Sequence, residues 1–388
     1  MKISYFANIR LPTEKAHGRQ IMKMAESLAQ AGDELELIIP SRQNPNFQNT
    51  NPFRYYQIKE TFKIKKINCF DPVFLFGFPA GLYIKFQTIF FILSLTVYLL
   101  INRSRQDTFF YTRDEALLPL LSIFSKKIVW EAHALPKKIK FLKPFLKRAA
   151  KFIVLTQSIK KNLISLGLAE EKILVSPDAV DLEIFGISLD KSQAREQWQL
   201  PQDKIILGYT GTIKTKGMDK GLIDIFQALK ILSQKRNDLI FIALGGLESE
   251  ISEYQKLAEN FGVADFVKLL SPVEQNKLAV FQQACDILLM PFPKTTHFSF
   301  YMSPLKMFEY LSSGRPIIAT NLPSIKEILD NTNAILIKPG DFQDLAEKIE
   351  LLLNNPSLAN DLAQKAKTIS LNYSWQKRGE KIYQFLCG

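Results

Sequence analysis

Short apolar runs alternate with longer amphipathic stretches along most of this chain, and this alternation limits the folds it can adopt more than any other feature. The short runs are typical of buried strands, and the longer stretches have the periodicity of helices. Strands that alternate with helices form parallel sheets covered by helices. The sequence therefore predicts an α/β fold, and its 388 residues are enough for two domains.

The alternation falls into two series. The first predicts a helix at 18–31 and strands at 2–7, 34–39, 108–111, 127–130 and 151–155. The second predicts strands at 204–209, 239–244, 267–269, 287–290, 316–319 and 334–337. Between them, the stretch 178–200 loses its periodicity, which is typical of an interdomain connection. Since ligands of such folds bind at the carboxyl ends of strands, we expect functional residues in loops that face a cleft between two sheets.

Composition and missing motifs count against several classes of protein. Lys and Arg number 50 against 38 for Asp and Glu, and the resulting net charge of +12 favours an acidic partner. The three cysteines form no CxxC pair, so neither a zinc site nor a disulfide scaffold is evident. We therefore expect the protein to be in a reducing compartment of the cell. The sequence also lacks a GxxxxGKS/T phosphate loop, a GxGxxG fingerprint and a DxD metal motif, which argues against kinases, dehydrogenases and metal-dependent transferases.

The longest apolar run, 86–101, contains no charged residue. As a helix it would be about 24 Å long, which is short of the roughly 30 Å hydrocarbon core of a bilayer. We therefore expect a buried core helix, and a membrane-dipping helix and a membrane-spanning helix remain alternatives. The N-terminal residues indicate a first strand, because charges from residue 10 onward do not fit a signal peptide.

The segment 301–320 carries most of the chemical information. Ser303 is predicted to be the N-cap of a helix, Pro304 its first residue and Gly314 its stop. The positive end of a helix, with free backbone N–H groups, is suited to bind a diphosphate. The groups predicted to do so belong to Met302, Ser303 and Leu305. Glu309, a turn and a half further on, could accept two hydrogen bonds from a ribose, and an ordinary capped helix with a solvated Glu309 is the alternative.

This segment resembles the signature of the family 4 retaining glycosyltransferases, which carry two Glu residues eight positions apart and then a Gly-Lys/Arg-Pro turn. Glu309 matches the second Glu, and 314–316 matches the turn. Tyr301 stands where the family has the first Glu, whose carboxylate touches hydroxyls of the donor sugar, so the chain departs from the pattern there. The resemblance implies a GT-B fold, in which two Rossmann-like domains with parallel sheets face an interdomain cleft.

Other positions match the family in the same order. Gly211, directly after a predicted strand, would let the backbone approach a phosphate, and Gly245 resembles the family's turn near the nucleotide. Gly18 lies in a loop that faces acceptor and donor phosphate in similar enzymes. His133 ends another predicted strand and resembles the family's histidine beside the reacting sugar.

Lysines are the predicted phosphate ligands. Lys220 opens a predicted helix and resembles the family lysine that grips the donor diphosphate. Thr212 stands where the family usually has an Arg, so Lys214 or Lys216 is expected to supply the second cation. By itself, each of these lysines could equally be an ordinary surface residue.

The resemblance also implies domain boundaries and a function. It places an acceptor-side domain at 1–193, a domain that binds the nucleotide sugar at 194–371, and a final helix at 372–388 that packs back on the first domain. The implied reaction moves a hexose from a UDP- or GDP-linked donor to a hydroxyl of a lipid-linked or saccharide acceptor, with retention and without a cofactor or metal. Lys220 and His133 are the predicted catalytic residues.

The segment 137–151 holds seven basic residues and no acidic one, interleaved with apolar side chains. This composition is typical of an element that lies on an anionic membrane leaflet, and a helix with a solvated basic face is the alternative. No RNA-binding signature is present, so nucleic acid is not an expected partner.

We expect a cytoplasmic enzyme of cell-surface polysaccharide or glycolipid synthesis, with a peripheral position on the inner face of the cell membrane as an option. A sugar-nucleotide epimerase or a non-catalytic membrane-docking scaffold of the same fold is the alternative.

Overall fold

The computed structural model describes residues 1–42, 44–71, 80–102, 107–215 and 217–388. The chain divides into two compact units. The first contains Met1–Pro177 and Trp375–Gly388, and the second contains Asp178–Ser374. Each unit is built around one parallel sheet of six or seven strands, so the two predicted α/β series correspond to two folded bodies.

The sheet of the first unit has the strand order β3-β2-β1-β4-β5-β6-β7, with every neighbouring pair parallel. The strands are β1 (Lys2–Phe6), β2 (Glu34–Pro40), β3 (Lys63–Ile67), β4 (Thr108–Thr112), β5 (Ile128–Ala132), β6 (Lys151–Val154) and β7 (Ile173–Val175). Sequence analysis missed the two edge strands, because β3 alternates lysine with isoleucine and β7 has only three residues. Charged edge strands are common, since they discourage pairing with other chains.

Among the described residues of the first unit, seven α-helices connect or cover these strands: α1 (Ala16–Gln30), α2 (Pro52–Tyr56), α3 (Ala80–Ile101), α4 (Leu118–Phe124), α5 (Ile139–Leu146), α6 (Gln157–Ser165) and, much later in the chain, α16 (Trp375–Cys387). The last helix packs against α1. Gly379 permits this close contact, because a Cβ atom at that position would lie 2.6 Å from the carbonyl oxygen of Ser27. The final helix is therefore part of the first unit.

Helix α3 is longer and more exposed than the predicted core helix. Its buried stripe consists of Phe91, Leu95, Tyr98 and Leu99. A second apolar stripe, with residues three or four positions apart, is exposed to solvent: Leu82, Phe86, Ile89, Leu93, Val97 and Leu100. Only 22% of its most apolar 18-residue window is buried, so the expectation of a core helix is wrong for most of its surface. By length and composition alone, α3 could cross a membrane.

The sheet of the second unit has the order β12-β11-β8-β13-β14-β15, again with parallel neighbours. The strands are β8 (Ile205–Thr210), β11 (Leu239–Leu244), β12 (Val267–Leu270), β13 (Ile287–Met290), β14 (Ile317–Thr320) and β15 (Ile335–Ile337), with a small hairpin of β9 (Lys214–Thr215) and β10 (Met218–Asp219) beside them. Both sheets place their first strand beside their fourth, which is the strand order of a Rossmann fold. In that order, loops at the carboxyl ends of the first and fourth strands diverge and leave room for a ligand.

The helices of the second unit are α7 (Leu182–Phe185), α8 (Lys191–Gln197), α9 (Leu222–Leu232), α10 (Glu248–Phe261), α11 (Gln275–Ala284), α12 (Thr296–Phe300), α13 (Leu305–Ser312), α14 (Phe342–Asn354) and α15 (Pro356–Ser370). Because α7 and α8 both pack on α11, the unit begins at Asp178 and not at the predicted residue 194. The stretch that was expected to be a connection is thus part of a folded body.

Both faces of the second sheet are covered by apolar packing. Ile206 and Leu288 belong to a core on one face, whereas their neighbours Leu207 and Leu289 belong to a core on the other. Successive residues of a strand point to opposite faces, so a strand that is buried on both sides is a continuous apolar run. The strands of this sheet were predictable for that reason. Because both faces of the sheet are covered, functional residues are expected in the loops at the ends of its strands.

Candidate functional site

Helix α13 begins without a side-chain cap. Its N-cap residue is Pro304, and within the described part of the chain no side chain bonds its first amides. The predicted cap, Ser303, instead accepts a hydrogen bond at its Oγ from the backbone amide of Asp178, at 2.9 Å. The prediction of Ser303 as the N-cap is therefore wrong. The helix stops as expected, because Gly314 follows the last turn with a φ of 68°.

Tyr310 fixes α13 against strand β8. Its ring is fully buried, and its hydroxyl accepts a hydrogen bond from the amide of Thr210 at 2.8 Å. Thr210 is the last residue of β8. The start of α13 and the turn that follows β8 are thus parts of one rigid arrangement at the carboxyl edge of the sheet.

The two predicted glycine turns are confirmed, and they touch each other. Gly211 has a φ of 101° and Gly245 a φ of 120°, which are conformations that other residues rarely adopt. A Cβ atom at Gly245 would lie 2.9 Å from the carbonyl carbon of Gly211. Side chains are therefore excluded from both turns, and bare backbone lines this part of the sheet edge.

Lys220 lies next to these turns. Its ammonium donates a hydrogen bond to Oγ1 of Thr212 at 2.6 Å. The following residue, Gly221, has a φ of 100° and packs directly on the carbonyl oxygen of Pro291, where a Cβ atom would not fit. Burial, which disfavours the charged form, lowers the pKa of Lys220 to about 8. The tight contact with Pro291 explains why glycine follows Lys220, and this contact holds Lys220 at the site.

Glu250 was not predicted, although it organises the loop after Gly211. This carboxylate is 9% exposed and accepts hydrogen bonds from the amides of Ile213 and Lys214, both at 3.2 Å, and of Leu247, at 3.1 Å. A Glu at the third position of a helix, as here in α10, often bonds the amide that precedes the helix. That signal could have identified Glu250 as a side chain that turns back toward the loop.

Of the two lysines proposed as the second cation, Lys214 is already paired. Its ammonium lies 2.5 Å from a carboxylate oxygen of Glu253 in α10. The ammonium is therefore paired with a neighbouring carboxylate in this structure, and the role of Lys214 as the second cation stays a prediction. Lys216 lies outside the described residues.

Lys306, in the first turn of α13, is a lysine that sequence analysis missed. It is 8% exposed, and its ammonium has no hydrogen-bond partner among the described residues. It lies 3.4 Å from the centroid of the Tyr209 ring, and a Cβ atom at Gly211 would be 3.6 Å from it. Burial, together with repulsion from Lys220, holds the pKa of Lys306 well below its usual range.

The energies involved make Lys306 an unusual residue. A desolvated cation over an aromatic ring gains about 2 kcal/mol, whereas taking an ammonium out of water costs several kcal/mol. The positive end of α13 opposes the charge as well. The sequence signal was weak, because a lysine in the first turn of a helix is only mildly unfavourable.

Glu309 is 8% exposed, so the alternative of a solvated side chain is wrong. Gln282 of α11 donates a hydrogen bond to its carboxylate at 3.4 Å. Met302 is buried, Leu305 is half-buried, and Tyr301 follows α12 with its amide bonded to the carbonyl of His297. The predicted residues of 301–309 thus surround the start of α13.

In the first unit, His133 belongs to a buried polar network. Its Nε2 lies 2.9 Å from a carboxylate oxygen of Glu131, which also accepts a hydrogen bond from Arg378 at 2.7 Å. Burial and repulsion from Arg113 lower the pKa of His133 to about 4. Burial alone would raise the pKa of Glu131, but Arg378 and then His133 hold it well below its usual range. A neutral His133 that donates from Nε2 to Glu131 has Nδ1 left as a hydrogen-bond acceptor.

Gly18 has a packing role in the structure. Helix α1 begins at Ala16, two residues before the predicted start, so Gly18 lies in its first turn. The space of its missing side chain is filled by the Tyr56 hydroxyl and by Thr13, and those two residues are hydrogen-bonded to each other. This contact explains the glycine without a ligand, and its phosphate role stays a prediction.

One family model, described as glycosyl transferases group 1, matches residues 190–369. This part of the chain thus resembles a group 1 glycosyltransferase domain. The matched segment contains α13, both glycine turns, Lys220 and Lys306, so the whole arrangement at the sheet edge lies inside it.

Sequence relatives are glycosyltransferases of moderate similarity. The capsular polysaccharide biosynthesis glycosyltransferase CapM of Staphylococcus aureus is 27% identical over 230 residues, which cover 56% of this chain and 56% of CapM. The chain spans about half the length of the curated relatives it matches.

Solved structures resemble the chain over its full length. Sucrose-phosphate synthase from Thermosynechococcus elongatus has a TM-score of 0.76 at 16% identity, over 99% of this chain and 97% of that protein. Anabaena HepE in complex with UDP and glucose has a TM-score of 0.72 at 16% identity, over 100% of this chain and 99% of that protein. At such identity the likeness shows the fold alone, and it confirms the predicted GT-B class of two Rossmann-like domains.

Proposed function

We propose that this protein is a hexosyltransferase that moves a sugar from a nucleoside-diphosphate donor to a hydroxyl acceptor with retention of configuration. The observation that carries the proposal is the uncapped start of α13, held beside two bare glycine turns and Lys220 within a group 1 glycosyltransferase domain. Backbone amides at a helix start and a lysine are the groups that bind phosphate oxygens in proteins.

In the proposed reaction, the bond between the sugar's anomeric carbon and the diphosphate oxygen breaks, and the acceptor oxygen forms the new bond on the same face. The leaving diphosphate takes the acceptor proton. Lys220 and the amides at the start of α13 stabilise the negative charge that develops on the diphosphate. These groups supply positive charge and hydrogen-bond donors without a metal ion, and we propose that no metal is required.

Glu309 is proposed to bind the ribose of the donor. It lies one turn inside α13, close enough to the helix start for one nucleotide to reach both, and two ribose hydroxyls are donors that a carboxylate can accept. The donor base is proposed to be uracil first and guanine second. Supporting uracil, HepE, which has the same fold, was solved in complex with UDP and glucose.

His133 is proposed to contact a sugar hydroxyl through Nδ1, since its Nε2 is occupied by Glu131. The neutral ring would accept a hydrogen bond from that hydroxyl. The proposed acceptor is a lipid-linked or saccharide hydroxyl in cell-surface polysaccharide or glycolipid synthesis. CapM, by its description, belongs to capsular polysaccharide biosynthesis, and this supports the choice.

We also propose that the first unit lies on the anionic inner face of the cell membrane. Helix α5 carries Phe141, which is 75% exposed, among the lysines of 137–151. Helix α4 packs against both α5 and α3 and exposes Ile123. Together with the exposed apolar stripe of α3, these residues supply the apolar surface and the positive charge that bind an anionic bilayer.

The donor proposal is tested by thermal unfolding in the presence of UDP, GDP, ADP and their sugars. A ligand that binds only the folded protein raises the unfolding temperature by mass action. We expect a shift with a uridine or guanosine diphosphate, and we expect Glu309→Ala to abolish it. No shift with any nucleotide would contradict the donor proposal, and a full shift in Glu309→Ala would contradict the ribose assignment alone.

A further inference from the structure

The ammonium of Lys306 is a buried charge that the proposed reaction has not used. Its neighbours are the rings of Tyr209, at 3.4 Å, and Phe292, at 5.5 Å, and neither ring can accept a conventional hydrogen bond. The other two lysines of the site are paired, since Lys220 bonds Thr212 and Lys214 contacts Glu253. Of these three lysines, Lys306 is therefore the one whose ammonium has no hydrogen-bond partner among the described residues and could gain one from a ligand.

The surroundings of Lys306 indicate the charge of that ligand. Lys306 belongs to the first turn of α13, whose uncapped amides and helix dipole favour an anion. Lys220 is also close enough to disfavour the charged form of Lys306. An anion placed between these groups would relieve both repulsions and supply the missing hydrogen-bond acceptor.

The surroundings of Lys306 also leave space beside its ammonium, at Gly211. Gly211 has no side chain, and the ammonium lies within van der Waals distance of the place where one would be. An L residue other than glycine would be strained at that φ, and its Cβ atom would stand between the loop and the ammonium. Since Gly211 has no side chain, the flexible side chain of Lys306 has room to move along this backbone.

We propose that Lys306 is a donor-binding residue whose ammonium contacts the diphosphate of the nucleotide sugar as the second cation beside Lys220. This inference rests on the proposed function and assigns the second cation to Lys306 in preference to Lys214. The Tyr209 ring is then the resting place of the ammonium before the donor binds.

The test compares a nucleoside diphosphate with its nucleoside by isothermal titration calorimetry and competition. The probe is whichever of UDP, GDP and ADP binds the unmodified protein best, together with the nucleoside that lacks phosphate. Lys306→Met keeps the length of the side chain and removes the charge. We expect it to weaken the diphosphate about 10- to 100-fold, the range for loss of one charged hydrogen bond, and to change nucleoside binding less than twofold.

Controls separate the possible outcomes. Lys214→Met removes the lysine that was predicted as the second cation and that contacts Glu253, and the inference expects it to weaken diphosphate binding less than Lys306→Met does. Lys306→Arg keeps the charge and should retain more diphosphate affinity than Lys306→Met. Because Lys306→Met removes an unpaired buried charge, we expect its unfolding temperature without ligand to be equal to or higher than that of the unmodified protein.

Other results would overturn the inference. Unchanged diphosphate affinity in Lys306→Met, or an equal loss for diphosphate and nucleoside, would show that the ammonium does not contact phosphate. Failure of both Lys306 variants to fold would show that the ammonium serves the fold and not the donor. If the unmodified protein itself binds no nucleotide, the proposed function fails first, and that result is distinct from binding that persists without Lys306.

Discussion

The hydroxyl of Tyr310 accepts a hydrogen bond from the backbone amide of Thr210 at 2.8 Å, and this bond joins the helix that would bind phosphate to the strand whose turn would cover it. Both partners are buried. The two halves of the proposed phosphate site therefore do not move independently, which is what a site of fixed geometry requires.

Tyr310→Phe should weaken both the fold and the site. The variant leaves the Thr210 amide buried without its acceptor, and an unpaired buried amide costs about 1 to 3 kcal/mol. We expect the free energy of unfolding in urea to fall by that amount and nucleotide affinity to fall with it. As a control, Tyr383→Phe changes a tyrosine of α16 in the other unit and should have little effect on nucleotide affinity. Unchanged stability of Tyr310→Phe would show that the bond is not needed.

Lys220 should produce a basic limb in the pH profile of the reaction. Its pKa is lowered to about 8, so the free protein has the charged form below that pH and loses it as the pH rises through 8. We expect kcat/KM to fall above about pH 8, and Lys220→Arg, which retains its charge, to remove that limb. Lys220→Ala should lower kcat by roughly 10²- to 10³-fold. A profile that is flat to pH 10 in the unmodified protein would contradict the assignment.

The buried pair of Glu131 and Arg378 should be sensitive to loss of one partner. Arg378→Met leaves the carboxylate buried without its cation, and such a loss costs about 3 to 5 kcal/mol. Because the pair holds the pKa of Glu131 below its usual range, its stabilisation is present at neutral pH and is lost as the pH falls through the pKa of the folded state. The difference in unfolding free energy should therefore shrink in acid.

The control for that pair is the double variant Glu131→Gln with Arg378→Met. It has no buried charge left unpaired, so it should be more stable than Arg378→Met alone at pH 7. A double variant that is less stable by the sum of both single effects would indicate that the two side chains act independently.

Membrane binding should depend on exposed apolar residues and on charge together. We expect the protein to sediment with vesicles that contain phosphatidylglycerol and not with pure phosphatidylcholine. Phe141→Ser and Leu93→Ser should each weaken sedimentation, because each removes an exposed apolar side chain from α5 or α3. Phe300→Ser alters an exposed apolar residue of the second unit and serves as the matched control. Equal sedimentation with neutral and anionic vesicles would contradict the role of the lysines.

Much of the fold was predictable because strands buried on both faces are continuous apolar runs, such as β11 and β13. The edge strand β3 was not, since its Lys-Ile alternation could belong to any exposed segment. Loss of periodicity at 178–200 predicted a connection, but short helices with polar surfaces lose periodicity as well. Those helices were recognisable only once their packing on α11 was known.

The candidate site was predictable where backbone conformation dictates a residue type. Gly211, Gly245 and Gly314 all have positive φ, and glycine is the residue that such turns select. Partners distant in sequence were not predictable in the same way. Nothing near Ser303 indicates that it bonds Asp178, and nothing near Lys214 indicates that Glu253 neutralises it. Lys306 was not predicted, because its significance depends on the lack of a hydrogen-bond partner for its ammonium among the described residues.

The central claim is that a nucleoside diphosphate binds at the start of α13, and a crystal structure of the protein soaked with UDP tests it most directly. The account predicts phosphate density within hydrogen-bond distance, about 3 Å, of the Leu305 amide and the Lys220 ammonium, with the ribose on Glu309. Phosphate density elsewhere in the chain, with the start of α13 unchanged, would contradict it.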